Sequence, residues 1–258
     1  MRTHAELEAV FKTDPPARTP TSAPASPKPL RILLVASAKD HGPSEHDYPL
    51  WQQRWTTLLR LADGVTVVNA TDWPTPEQWA GCDVAVFYSS NSTWSAGKAK
   101  DLDAFQSRGG GLVFLHMAVN APKDPDALAG RIGLAWQPNL SKFRHGPLDL
   151  SFADASHPIT RNFPASLHLI DESYWNLAGD VKHIHVLGSG KEENESRPLI
   201  WTYEHSHGRV FVCIPGHYTW TFDDPLYRLL VLRGISWAAD PANSDRLSPL
   251  CTLGARLR

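Results

Sequence analysis

Four histidines stand where an imidazole can do chemistry. His46 lies in a polar loop after an aliphatic run, His116 closes the run Gly109-Gly110-Gly111-Leu112-Val113-Phe114-Leu115, His145 precedes an extended segment, and His217 follows Cys213-Ile214-Pro215-Gly216. His46, His116 and His217 each fall just past a predicted strand end, and in an open α/β sheet those carboxyl ends form the ligand crevice. Three imidazoles converging with a carboxylate suit Zn²⁺ or a similar divalent cation. Asp171 and Glu172, beside Tyr174 and Trp175, are the carboxylates best suited to ligation or general acid/base work. The separations nevertheless form no compact motif of the His-Glu-x-x-His kind. On spacing alone a core histidine bonded to backbone explains His116 equally well, and a solvated turn explains Asp171-Glu172 better.

Nucleophilic chemistry is disfavoured. The strand-to-turn position that carries Ser or Cys in nucleophile elbows carries His116, and no G-x-S-x-G is present. Ser89 and Ser90 follow a strand but have no evident local base. Neither G-x-G-x-x-G nor a phosphate-loop Gly-Lys-Ser/Thr occurs, so neither a dinucleotide fold nor a kinase is supported.

The elements that must position these residues alternate. Arg31 to Ala36, Val65 to Val68, Val84 to Tyr88 and Leu112 to Leu115 read as strands. Leu50 to Ala62, Thr75 to Ala80 and Ser95 to Ser107 read as the helices between them. The alternation predicts an α/β fold with a doubly wound, mainly parallel sheet flanked by helices. Between the first strand and its helix, residues 37–49 hold two histidines, a lysine and three acids, more ionisable groups than a plain surface turn needs. The second half is less regular. Asp126 to Gly133 reads as helical, Leu134 to Arg144 as turn-rich, His145 to Phe152 as a strand, and Leu167 to Leu169 as a short run leading into Asp171-Glu172. Three more strands follow at His185 to Gly188, Leu199 to Tyr203 and Arg209 to Ile214, and Asp224 to Ala239 forms a closing helix. The domain is expected over residues 30–239, after a Pro-rich, flexible leader (1–29) and before a poorly ordered tail (240–258) without apolar periodicity.

Composition narrows the function classes. A net charge of −2, from 25 basic and 27 acidic side chains without like-charge runs, argues against nucleic acid and membrane surfaces as partners. The three cysteines, Cys82, Cys213 and Cys251, form no Cys-x-x-Cys pair, and with no apolar leader a reducing, cytoplasmic setting is expected. Twelve His and ten Trp exceed ordinary packing needs and favour a His-rich site with aromatic walls.

Five ordered segments then resemble one family: Ser37 to Trp51 with its His-Gly-Pro-Ser-Glu-His-Asp-Tyr core, Gly109 to His116, Ser156-His157-Pro158-Ile159-Thr160, Asp171-Glu172-x-Tyr174, and Gly216-His217 ahead of Asp224-Pro225-x-x-Arg228. Over residues 30–239 the chain resembles the trehalose-utilisation (ThuA-like) family. The resemblance implies a flavodoxin-related, class I glutamine-amidotransferase-like three-layer sandwich in which His116 occupies the elbow of the usual cysteine. It further implies a sugar-active enzyme, a metal-dependent hydrolase or lyase of disaccharides, glycosides or 3-keto sugars. His46, His116 and His217, with His145 or Glu172, would hold the metal, zinc by preference. His116 and Glu172 would be catalytic, and Trp175, Tyr218 and Trp220 would be sugar-stacking walls. The partner implied is a small-molecule carbohydrate, and a homo-oligomer is compatible with the chain. Two rivals stay open, a non-catalytic carbohydrate-binding module and metal-free acid/base catalysis on a keto sugar.

Overall fold

The computed structural model describes residues 2–11 and 28–254. The Pro-rich stretch expected over residues 15–29 falls, apart from Lys28 and Pro29, outside the described residues.

After a short helix α1 (His4–Phe11), the first half alternates as its periodicity predicts: β1 (Leu30–Ala36), α2 (Tyr48–Leu59), β2 (Val65–Thr71), α3 (Pro76–Gly81), β3 (Val84–Tyr88), α4 (Ala96–Ser107) and β4 (Gly111–Leu115). Helix starts follow local chemistry. Asp47 and Ser95 cap α2 and α4 through their side chains, and Thr75 with Gln78 forms a capping box at α3. The second half contains α5 (Pro125–Ile132), β5 (Lys142–Phe152), β6 (Ser166–Trp175), β7 (His185–Glu192), β8 (Glu195–His205), β9 (Gly208–Cys213) and α6 (Pro225–Ala239).

Among the described residues nine strands join one sheet of order β2-β1-β3-β4-β9-β8-β7-β5-β6. The pairings from β2 through β9 are parallel, and every residue of β3 and β4 is buried, as in sheets covered on both faces. The pairings from β9 through β6 are antiparallel. The fold is therefore mixed α/β, and the expectation of a mainly parallel sheet is corrected. The sequence between β5 and β9 contains no helix long enough for parallel crossovers, so its strands can return only as hairpins.

Two further corrections concern the site and the tail. Leu167 to Trp175 lies within one strand, not a short run plus a turn, because β6 pairs with β5 over nearly its whole length, Glu172 opposite His145. This ribbon touches β7 only at Ser151 and Phe152, which frees its far end to return toward the loops after β1, β4 and β9. Residues 240–254 form two 3₁₀ turns, Pro241–Asn243 and Ser248–Thr252, with Leu247 and Cys251 buried. Arg228 donates to the carbonyls of Cys251 and Leu253, and Arg233 to Asp245.

Two of the three glycines that lead into β4 have separate reasons. Gly109 adopts φ +85°, and a Cβ on Gly111 would sit 2.4 Å from the Ala238 carbonyl oxygen of α6. The glycines thus bring β4 under α6 and aim its end at the site. No helix of the described residues is long and apolar enough to cross a membrane.

Candidate metal centre

The adjacency of β1, β3, β4 and β9 places three loops along one sheet edge. His46 comes from the loop after β1, His116 directly follows β4, and His217 lies just past β9. Glu172 reaches them from β6. All four are buried, at 2%, 0%, 1% and 4% relative exposure respectively, so these polar groups left water only to meet one another. His46 and His116 hold left-handed backbones, φ 41° and 53°. Such strain in non-glycine residues gathers at functional sites.

Four donor atoms point at a common centre. His46 Nε2 lies 2.8 Å from His116 Nε2 and 3.0 Å from His217 Nδ1, and the last two are 3.3 Å apart. Glu172 Oε2 is 3.1 Å from His116 Nε2 and 3.1 Å from His217 Nδ1. Among the described residues these four side chains form a group able to hold a metal ion. A tetrahedral zinc with bonds of about 2.0–2.1 Å separates its donors by about 3.3 Å, so the set needs to open only slightly. Three imidazoles and one carboxylate also suit zinc chemically.

The outer shell fixes the tautomers. Asp40 Oδ1 stands 2.9 Å from His46 Nδ1, and the Ile214 carbonyl 2.8 Å from His116 Nδ1. Both partners accept only, so each Nδ1 carries the proton and each Nε2 turns its lone pair inward. Tyr48 Oη adds a 2.9 Å contact to His46 Nδ1. Asp171 organises the backbone. Its Oδ1 accepts N–H bonds from Glu172 (2.7 Å), Gly216 (2.9 Å) and His217 (3.0 Å), and its Oδ2 accepts the Thr221 hydroxyl. Gly216, at φ +139°, makes this turn possible.

The electrostatics separate the imidazoles. Burial, followed by the neighbouring His116, pushes His46 down to about 2, so it stays neutral. Burial also opposes charge on Glu172, but the adjacent imidazoles of His116 and His217 prevail and hold its carboxyl well below the usual range. For His217 desolvation is likewise outweighed, by the Glu172 hydrogen bond and charge, and its pKa is raised. Tyr174, whose hydroxyl donates to Glu172 Oε2 at 3.0 Å, is driven well above its ordinary value by burial and then by Glu172. The two shifts of Glu172 and His217 run in opposite directions, each favouring the charged form, across the 3.1 Å His217–Glu172 contact.

Of the remaining expected residues, His145 stays outside the donor group. Its half-exposed ring lies with Nε2 3.0 Å from Glu172 Oε1 and Nδ1 3.0 Å from Tyr218 Oη. Tyr218 stacks on Trp220 at 4.1 Å and 12°, and Trp220 is 47% exposed, so both belong to the rim. Trp175 is not brought to the site. Alternation along β6 sends it to the face opposite Glu172 and Tyr174, where its Nε1 donates to Glu193. Asp40, Glu45, Tyr48 and Tyr174 were not singled out from the sequence. The density of ionisable groups in residues 37–49 was the signal for the first two. A cavity of about 540 Å³ beside α2, lined by Trp51, Trp55, Leu58, Phe222 and Leu253 among others, contains none of the four donors.

A mixed α/β sheet that gathers three histidines and a glutamate at the loops beyond its strand ends defines a class of α/β proteins with a buried candidate metal centre. Residues 31–238 match the family described as "Trehalose utilisation" (ThuA), and the chain belongs to that family. No curated protein sequence matches it. Among solved structures it is similar to a ThuA-like protein of Parabacteroides merdae (TM-score 0.67, 18% identity, 83% of this chain and 91% of that one). A ThuA-like protein of Bacteroides uniformis gives TM-score 0.65 at 19% identity, over 84% of this chain and 94% of that one. A cytoplasmic protein of Salmonella typhimurium gives 0.57 at 14%, over 81% and 99%. At these identities the structures speak for the fold.

Proposed function

We propose that the chain is a sugar-active enzyme whose centre of His46, His116, Glu172 and His217 holds one divalent cation, zinc by preference, and acts on a disaccharide or glycoside, including its 3-keto form. The observation that carries this reading is the convergence of four buried donor atoms, two of them on histidines whose outer nitrogens are already committed. Structural hydrogen bonding does not require three imidazole nitrogens within 3.3 Å of one another. A zinc ion there would polarise a sugar carbonyl or activate water.

The chain's own groups divide the remaining work. His145 and Tyr218 are the polar groups of the rim, linked to one another and through His145 to Glu172, and they are the ones a sugar hydroxyl would meet. Trp220 and Tyr218 present a flat pair on which a sugar ring can stack. Asp40, the Ile214 carbonyl and Asp171 hold the donors in place. A cytoplasmic setting belongs to the same proposal, supported by three free cysteines and by the description of the Salmonella structure. We also read the parallel half of the sheet, of order β2-β1-β3-β4-β9, as the doubly wound, amidotransferase-like unit of the family.

Metal-free acid/base catalysis is the second reading, favoured by the Tyr174 to Glu172 hydrogen bond and by the His217–Glu172 ion pair, which satisfy Glu172 without a cation. Incubating the protein with disaccharides and their 3-keto derivatives, with and without EDTA, followed by product analysis, separates the two. Turnover abolished by EDTA and restored by zinc supports the metal reading. Turnover indifferent to EDTA supports the second, and binding without turnover contradicts both.

A further inference from the structure

The outer shell of the centre is complete at two histidines and open at the third. His46 Nδ1 has Asp40 and His116 Nδ1 has the Ile214 carbonyl, but His217 Nε2 is buried without a hydrogen-bond partner. A buried polar nitrogen left unpaired is costly, and native structures rarely keep one without a use. One carboxylate faces it: Glu45 Oε1 lies 3.8 Å away, beyond hydrogen-bond range.

The intervening backbone is already fixed. Glu45 and Tyr218 form an isolated antiparallel bridge, the His46 N–H donates to the His217 carbonyl at 3.0 Å, and the Thr219 N–H donates to the Ser44 carbonyl at 2.9 Å. Only the Glu45 side chain has to move, by about 1 Å, to reach an ordinary N–H···O distance. It is one-third exposed, and Gly42 leaves it room, since a Cβ there would sit 3.2 Å from Glu45 Oε2.

We propose that Glu45 is the positioning carboxylate of the centre, accepting the His217 Nε2–H bond when a divalent cation sits on His217 Nδ1 and thereby setting the affinity of the site. The inference rests on the metal reading above. A cation on Nδ1 makes the opposite N–H a stronger donor, and carboxylate-histidine-metal relays orient the ring and raise its basicity. Asp40 is preset in this role, and Glu45 is the member that closes on loading.

The test is a zinc titration in competition with a chelating dye, on full-length wild type, Glu45→Ala and Glu45→Gln, with metal-free melting temperatures recorded alongside. Glu45→Ala should bind zinc about 10- to 100-fold more weakly at unchanged stoichiometry and unchanged metal-free melting temperature. Glu45→Gln, whose amide oxygen still accepts, should recover part of the loss, which a merely structural role would not produce. Wild-type affinity in Glu45→Ala overturns the assignment while leaving the metal centre standing. Absence of zinc binding in the wild type removes the metal reading and this inference with it.

Discussion

The Nε2 atoms of His46 and His116 face one another at 2.8 Å, each with its ring proton committed on the far side, to Asp40 and to the Ile214 carbonyl. Two inward lone pairs at that distance repel unless a proton or a cation lies between them. His217 Nδ1 completes the group, 3.0 Å from His46 Nε2 and 3.3 Å from His116 Nε2. A divalent cation at the centre would satisfy every donor at once.

Zinc binding should therefore stabilise the fold by mass action. At free zinc of 100 times Kd the gain is about 2.7 kcal/mol, seen as a rise in Tm across a zinc series. Because the raised pKa of His217 means a proton must leave on loading, affinity should weaken as pH falls. Glu172→Gln removes the ionised donor and should shrink the Tm rise severalfold at the same zinc concentration. An undiminished rise would place the cation elsewhere.

Asp171 is expected to hold the centre's backbone. Asp171→Ala strands three buried N–H donors and the Thr221 hydroxyl. With about 1–3 kcal/mol for each group left unpaired and partial rescue by relaxation, the loss should be about 3 kcal/mol by urea unfolding. A loss below about 1 kcal/mol would mean the Gly216-His217 turn is held by other contacts.

His157 supplies a pH signature away from the centre. Burial, then the charge of His185, lowers it to about 4, and its Nδ1 accepts the Ile159 N–H. The fold thus favours the neutral ring, and the unfolded chain binds more protons between the two pKa values. Its contribution to stability is complete above about pH 6.5 and is lost as pH falls toward 4. His157→Gln should lose less stability than wild type between pH 7 and 4.5 in urea titrations. Parallel pH profiles would contradict the assignment.

The segment after α6 should matter to stability. Asp245 binds Arg161 and the buried Arg233, so Asp245→Ala leaves a buried guanidinium without its carboxylate. The Asp is partly exposed, and the cost should be about 2–3 kcal/mol, below that of a fully buried pair. A change within about 0.5 kcal/mol would show the segment to be dispensable.

How far the sequence could be read follows from what kind of force fixes each part. The parallel half was legible because its strands are continuous apolar runs and its helices are amphipathic and capped, all local signals. His46, His116 and His217 were legible as strand-end residues for the same reason. Glu172 was legible as a candidate carboxylate but not as a buried strand residue, because β6 reads Ser-Leu-His-Leu-Ile-Asp-Glu-Ser-Tyr-Trp, and its burial comes from pairing with β5 and from the imidazoles it meets, both distant in sequence. Trp175 shows how one residue of register decides a face: neighbouring Tyr174 reaches the centre and Trp175 does not. The ordered turns after Ala239 depend on Arg228, Arg233 and Asp245, polar contacts that no apolar periodicity announces.

The most direct measurement is the metal content of protein purified without chelators, by elemental analysis, with zinc added back to chelator-stripped protein. One zinc per chain is expected, recovered on reconstitution and largely lost in Glu172→Gln. Substoichiometric metal in the purified protein, together with no rise in Tm on adding zinc, would contradict it.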